Sequence, residues 1–279
     1  MEATEIEPTP LTPLTPLTPP APLSAIAPAW HTVVLVVVIV ALSIHSARRF
    51  SSSEREINRL ATYGMAAVMD AVMLAWIGFG LHLKKIPFRS LLGSCPINFR
   101  SILRDLSYAA IFWIAALMVL GSLGSAWSRT EAMLTHQAPA AHAPGNAKEA
   151  LTSDPGKLQT LRTLQRIAPT NGREIAAWML LCLLVGFTEE VVFRGYLQRQ
   201  FTLWARGSVA WGVVASALIF GSGHIYEGVR GVFLIAAFGA LFSLLAIYRR
   251  SLRAGMMAHA WHDLITGLAV TLLSAKHMI

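Results

Sequence analysis

The run Leu180-Leu-Cys-Leu-Leu-Val-Gly-Phe-Thr-Glu-Glu-Val-Val-Phe-Arg-Gly-Tyr196 is apolar as far as Phe187 and then places two consecutive carboxylates, Glu189 and Glu190, and a cation, Arg194. An ionisable side chain within a membrane helix costs about 2.5–3.5 kcal/mol on insertion scales, so it is normally paired and turned toward a protein interior or a wet cavity. Residues four apart share a helix face, so Glu190 and Arg194 can meet. The run predicts a membrane helix whose polar side looks into protein, and the second carboxylate then needs partners from elsewhere.

Two further polar groups interrupt apolar sequence downstream, Phe220-Gly-Ser-Gly-His224 and His259-Ala-Trp-His-Asp263. The same spacing lets Phe220 meet His224 and sets His259 one turn from Asp263. His262 falls on a different face and is expected at solvent or headgroups. Three helices can thus each offer polar side chains to one interior pocket.

The whole chain agrees with a membrane setting. Of its 279 residues 54% are hydrophobic and only 14% charged, far from a soluble globular composition. Its formal charge of +8 does not indicate nucleic acid, because the Lys and Arg residues fall mainly in short connectors where they orient helices. Cys95 lies in a basic connector and Cys182 in an apolar helix, which excludes a thiolate metal site and argues against a structural disulfide. Residues 1–29 repeat Leu-Thr-Pro and read as a disordered or polyproline tail, without the basic start and cleavage pattern of a signal peptide.

Apolar runs of bilayer length, about 17–25 residues, lie near Trp30–Ser46, Leu60–Leu83, Leu106–Trp127, Ile175–Tyr196, Ser208–Tyr226, Gly231–Tyr248 and Leu252–Ser274. The expected fold is therefore an all-α polytopic bundle of about seven transmembrane helices. It divides into N-terminal helices over 30–127, an extramembrane connector over 128–174 and a core over 175–279. Within the connector, Lys157–Ile167 has apolar residues at every third position and predicts a short interfacial helix. Basic residues after the second, fourth and sixth runs put those connectors on the cytoplasmic side, with Arg48, Arg49, Arg55 and Arg59 as the opposing signal. Straight spans would leave His224 in the opposite half of the bilayer from Glu189 and His259. Convergence requires the fifth run to break or tilt, for which Gly221 and Gly223 are the natural places.

A carboxylate held beside a histidine in a dry pocket can act as a general base on water, and a histidine with a hydrogen-bonding neighbour can supply donors to an oxyanion. That is hydrolytic machinery. No serine or cysteine stands in an evident nucleophile setting, Ser222, two residues before His224, being the one weak exception. The alternative is a divalent metal such as zinc held by His224, His259 and Glu190, with the other glutamate as base. The His-Glu-x-x-His pattern of zinc proteases is absent from the chain.

Taken together, Glu189-Glu190-x-x-x-Arg194, Phe220-x-x-x-His224 and His259-x-x-x-Asp263, with the surroundings Thr188-Glu-Glu-Val-Val-Phe-Arg-Gly-Tyr-Leu-Gln198 and Ser251-Leu-Arg-Ala-Gly-Met-Met-Ala-His259, resemble the CAAX prenyl protease and bacteriocin-processing family of intramembrane proteases. The resemblance covers about Ile175 to Leu273. It implies a helical endopeptidase acting on a peptide or membrane-protein substrate in the lipid bilayer of a bacterial-type cell membrane. In it Glu189 would activate water, Glu190 and Arg194 would shape the pocket, His224 would assist the water or bind a metal, and His259 with Asp263 would stabilise the oxyanion. The family often has asparagine where this chain has Asp263, and an ionised aspartate cannot donate to an oxyanion. Competing readings are a non-catalytic scaffold or bacteriocin self-immunity protein, and an ion-coupled transporter, against which the lack of an evident internal repeat weighs.

Overall fold

The structure is a computed structural model that describes residues 25–52, 57–94, 96–134 and 155–276. Those residues form eight helices: α1 (Ala29–Ser52), α2 (Arg59–Leu83), α3 (Phe99–Leu134), α4 (Pro155–Ile167), α5 (Gly172–Trp204), α6 (Val209–Ser222), α7 (Gly228–Arg249) and α8 (Arg253–Ala275). Short 3-10 turns stand at Phe88–Leu91 and Ile225–Glu227. Among the described residues the only β pairing is an isolated bridge between Gly93 and Ser251. The expected Leu-Thr-Pro tail lies outside the described residues as far as residue 24, as do Cys95 and the middle of the 128–174 connector.

Helix starts follow local chemistry. The Asn58 side chain accepts from Ala61 N at 3.0 Å, and that of Asn171 accepts from Glu174 N at 3.1 Å, each satisfying a backbone donor that the first turn leaves free. Glu174 Oε2 reaches back to Thr170 N at 2.8 Å, so the entry to α5 is fixed from both sides.

Among the described residues five helices are long and apolar enough to cross a membrane: Ala29–Arg48, Arg59–Leu83, Phe99–Leu134, Gly172–Trp204 and Ile225–Arg249. The chain is an all-α, multi-pass membrane bundle. The other two of the seven expected runs depart for physical reasons. Helix α8 has 23 residues but carries Arg253, His259, His262 and Asp263, which lower its apolarity. Helix α6 has 14 residues, about 21 Å at 1.5 Å per residue, short of a hydrocarbon core of about 30 Å. It stops at Ser222 with Gly223 as its cap, and the turn Ile225–Glu227 leads directly into α7. The break expected near Gly221 and Gly223 is thus present, and it is what brings His224 to the interior.

Helix α5 is the centre of the bundle, packed against α2, α6 and α8. From Glu190 to Leu197 it widens into a π-helical segment of eight residues, all buried, of which Glu190, Val191, Val192, Tyr196 and Leu197 are fully so. Such segments are uncommon and gather at functional sites. Its far side is covered by α1 and α2. His31 stacks on Trp76 at 4.6 Å between ring centres, with Nε2 2.7 Å from the Trp76 carbonyl and Nδ1 2.8 Å from the Tyr196 hydroxyl. Since a carbonyl only accepts, Nε2 donates to it, and in the neutral ring Nδ1 accepts from Tyr196. Thr32 Oγ1 completes the group, 2.8 Å from the same hydroxyl. Further along, Gln200 accepts from Ile26 N at 3.0 Å and donates to Ala27 O at 2.8 Å, which pins the chain entering α1.

Asp105 performs a similar function for α3. It accepts from Arg249 Nη2 and Arg253 Nε, each at 2.6 Å, and so ties α3 to the tight turn between α7 and α8. The short helix expected over Lys157–Ile167 is present as α4, which lies against α7, α8 and the Ile225–Glu227 turn.

Candidate active site

Helices α5 and α8 approach closely because small residues stand at the crossing. A Cβ added at Gly186 would lie 2.9 Å from Ala260 N and 3.0 Å from Met256 O, and one at Gly255 would lie 2.8 Å from Glu190 Oε2. All three distances are shorter than ordinary van der Waals contact, so a side chain at either position would push its neighbours apart. This contact is what carries the His259 imidazole onto the two carboxylates of α5.

His259 is buried between them. Its Nδ1 lies 3.1 Å from Glu190 Oε1 and its Nε2 3.3 Å from Glu189 Oε2, while Asp263 Oδ2 stands 3.9 Å from Nε2. The ring stacks on Phe242 at 5.1 Å and meets Phe220 edge-on at 6.0 Å, so its orientation is fixed by packing as well as by charge.

The two glutamates differ in environment although they are neighbours. Glu190 is fully buried and accepts from Arg194 Nη1 at 2.9 Å on Oε1. Arg194 Nη2 also donates to Gly239 O at 3.1 Å, and the guanidinium lies over the rings of Phe220 at 4.4 Å and Phe242 at 5.0 Å. That cation is locked. Glu189 has no such partner among the described residues, and its side chain keeps 18% exposure against 0% for Glu190. One carboxylate is therefore structural in its contacts, and the other faces the space in front of His259.

His224 enters from the end of α6. Its Nδ1 is 3.0 Å from Phe220 O, and because a carbonyl only accepts, Nδ1 carries the hydrogen and Nε2 is left with its lone pair in the neutral ring. The ring sits 5.2 Å from Phe220 and 5.6 Å from Tyr226. Asp263 lies within electrostatic reach of His259, Glu189, His224 and Glu227, so α5, α6, the turn before α7 and α8 all contribute charge to one locus. Ser222 donates to Ile219 O at 2.8 Å within its own helix.

All six residues singled out in the sequence, Glu189, Glu190, Arg194, His224, His259 and Asp263, converge in this way. His262 differs from expectation. It is partly buried and packs edge-on against Phe238 at 4.8 Å, with a buried Nδ1 lacking a hydrogen-bond partner among the described residues, so it faces the α7 interior and not headgroups. The metal set expected as an alternative, His224, His259 and Glu190, is not gathered as a ligand group; among the described residues no cluster of three or more His, Cys, Asp or Glu is placed to hold an ion. Glu190 Oε1 is committed to Arg194 and His259, and both nitrogens of His259 face carboxylates.

Two buried residues escaped the sequence reading. His31 supports the π-helical segment from behind. Asp70, on α2, is 5% exposed and lies within electrostatic reach of Glu189 and His259. Its signal was available, since it is the only Asp, Glu, Lys or Arg between Leu60 and Leu83.

With this geometry in view, residues 171–265 match the family model described as type II CAAX prenyl endopeptidase Rce1-like. The matched stretch opens at the Asn171 cap and encloses every residue from Glu189 to Asp263 named above, whereas Asp70 and His31 precede it. It agrees with the resemblance drawn from the motifs. Neither the curated proteins nor the solved structures gave a match to the chain.

Proposed function

Taking residues 171–265 as an Rce1-like endopeptidase segment within a multi-pass membrane protein, we propose that the chain is an intramembrane protease in which Glu189 activates the attacking water. One observation carries this assignment: Glu190 is neutralised by Arg194, while Glu189, next to it in sequence, stays partly exposed and contacts His259 Nε2. In the reaction Glu189 takes a proton from water as the oxygen bonds to the peptide carbonyl carbon. Once Glu189 is protonated its hold on the His259 Nε2–H weakens, and that donor can turn to the new oxyanion. Glu190 keeps the other ring nitrogen in place. Collapse of the tetrahedral intermediate breaks the C–N bond, and the proton on Glu189 passes to the leaving nitrogen. His224, with Nε2 as acceptor, receives the proton that the new carboxylic acid gives up. Asp263, at 3.9 Å from His259 Nε2, acts on the imidazole as an acceptor and not as an oxyanion donor.

The substrate in this reading is a peptide or membrane protein whose scissile bond reaches the pocket from the bilayer, and a farnesylated peptide ending in cysteine, two aliphatic residues and a variable residue is the first probe. Purified wild type in micelles should cleave it, with a chelator present as well as without. Glu189→Gln should remain folded and lose at least about a thousandfold in kcat, on the scale of removing an essential general base and the nucleophile it generates. Undiminished cleavage by that variant would remove Glu189 from the mechanism. Chelator-sensitive cleavage restored by zinc would replace this mechanism with a metal-dependent one, and no cleavage of prenylated or plain peptides would favour a scaffold.

A further inference from the structure

Helix α2 turns one face to α5, and its buried positions Tyr63, Asp70 and Ile77 recur every seventh residue along that face. Tyr63 packs on Trp178 at 5.4 Å, and Ile77 joins the core cluster with Val191, Val192 and Tyr196. The two helices therefore run in the same direction, and Asp70, midway between those contacts, comes level with the turn of α5 that leads into Glu189. Its charge is within reach of both Glu189 and His259.

Nothing else explains a carboxylate there. Asp105, the other buried aspartate, is held by two arginines. Asp70 has no Lys or Arg ion-paired to it among the described residues, and its buried Oδ2 has no hydrogen-bond partner among them. An acid placed in a membrane helix without a partner destabilises the protein, and such groups persist where they act. From its level on α2, its orphaned oxygen and the two site residues within reach of its charge, we infer that Asp70 is a further residue of the catalytic site, brought by a helix outside the matched segment, and that its carboxylate accepts a hydrogen bond from the second hydrogen of the water that Glu189 deprotonates. Two carboxylates then fix both hydrogens of the water, which leaves an oxygen lone pair directed at the carbonyl carbon. No bond to Asp70 is made or broken. Its effect is to hold the nucleophile in an attacking orientation, a contribution of position.

This inference rests on Glu189 being the base, and the test separates the two. The full chain is assayed with the farnesylated peptide as wild type, Glu189→Gln, Asp70→Leu and Asp70→Asn, with melting temperature measured on the same samples. Asp70→Leu should lower kcat at least tenfold with KM within twofold of wild type, and Asp70→Asn, which keeps an acceptor, should lose less. Both should melt at or above the wild-type temperature, because an unpartnered carboxylate has been removed from the membrane interior. A packing role predicts the opposite pair of signs, lower stability with an unchanged kcat per folded molecule. Wild-type kcat in Asp70→Leu, alongside an inactive Glu189→Gln, overturns the role of Asp70 alone. Failure of wild type to cleave, or full activity of Glu189→Gln, overturns both readings.

Discussion

Replacing Arg194 by Met tests whether the pocket is held together by one buried cation. Met is close to Arg in reach and can keep the contact with Phe220 and Phe242 that the guanidinium now makes at 4.4 and 5.0 Å. What it removes is the donor to Glu190 at 2.9 Å and the donor to Gly239 O at 3.1 Å. Glu190 would keep only His259 Nδ1, and its Oε2 already lacks a hydrogen-bond partner among the described residues. Breaking a buried ion pair by deleting one partner destabilises by about 3–5 kcal/mol. Losing the second, charged donor to Gly239 O, which keeps its own helix hydrogen bond, adds about 0.5–1.5 kcal/mol. These effects share an environment and overlap, so the expected loss is about 4 kcal/mol, roughly a thousandfold in the unfolding equilibrium. The assay is titration of mixed micelles with sodium dodecyl sulfate, followed by tryptophan fluorescence. Adding Glu190→Gln removes the charge that Arg194→Met strands, and the double variant should recover about 2 kcal/mol of the loss. A single variant within 1 kcal/mol of wild type, or a double variant no better than the single, would refute the reasoning.

Two other predictions address geometry and scaffold. Gly255→Ala puts a methyl group 2.8 Å from Glu190 Oε2 and 3.3 Å from its Cδ, against a carboxylate that cannot move without leaving Arg194 and His259; kcat should fall about 10–100-fold with KM little changed, and wild-type turnover would show that the crossing of α5 and α8 tolerates displacement. Asp105→Asn weakens the clamp on Arg249 and Arg253, so thermal unfolding should report a loss of about 2 kcal/mol while the folded protein retains its turnover; equal loss of turnover in the folded protein would mean that α3 acts on the site.

The parts of this molecule legible in its sequence are those governed by local spacing. Glu190 and Arg194 meet because four residues separate them, and the chain stops being helical at Gly223 because little favours continuing the helix there. The five longest spans follow from runs of apolar residues alone. What was not legible depends on partners distant in the chain. His31 is explained only by Trp76 and Tyr196, and Asp70 only by the level at which α2 meets α5. The π-helical turn has no composition of its own, since Val191, Val192 and Phe193 would serve equally in an α-helix. His262 departs from its expected place for a related reason: leaving the face of Asp263 does not mean leaving the protein, because α7 supplies a second interior face at Phe238.

The His31–Tyr196 contact bears on where this protein can be cut. The stretch that matches the Rce1-like family model begins at residue 171, yet the far side of its π-helical turn is closed by side chains from α1 and α2, more than a hundred positions earlier. Tyr196 and Leu197, buried to the last atom in the intact chain, would face lipid in a fragment that began at the family boundary, and Tyr196 would lose both its hydroxyl partners. The inherited unit and the cooperative unit are therefore different lengths of chain. Any attempt to transplant, truncate or express the chemistry separately has to take the first two helices with it.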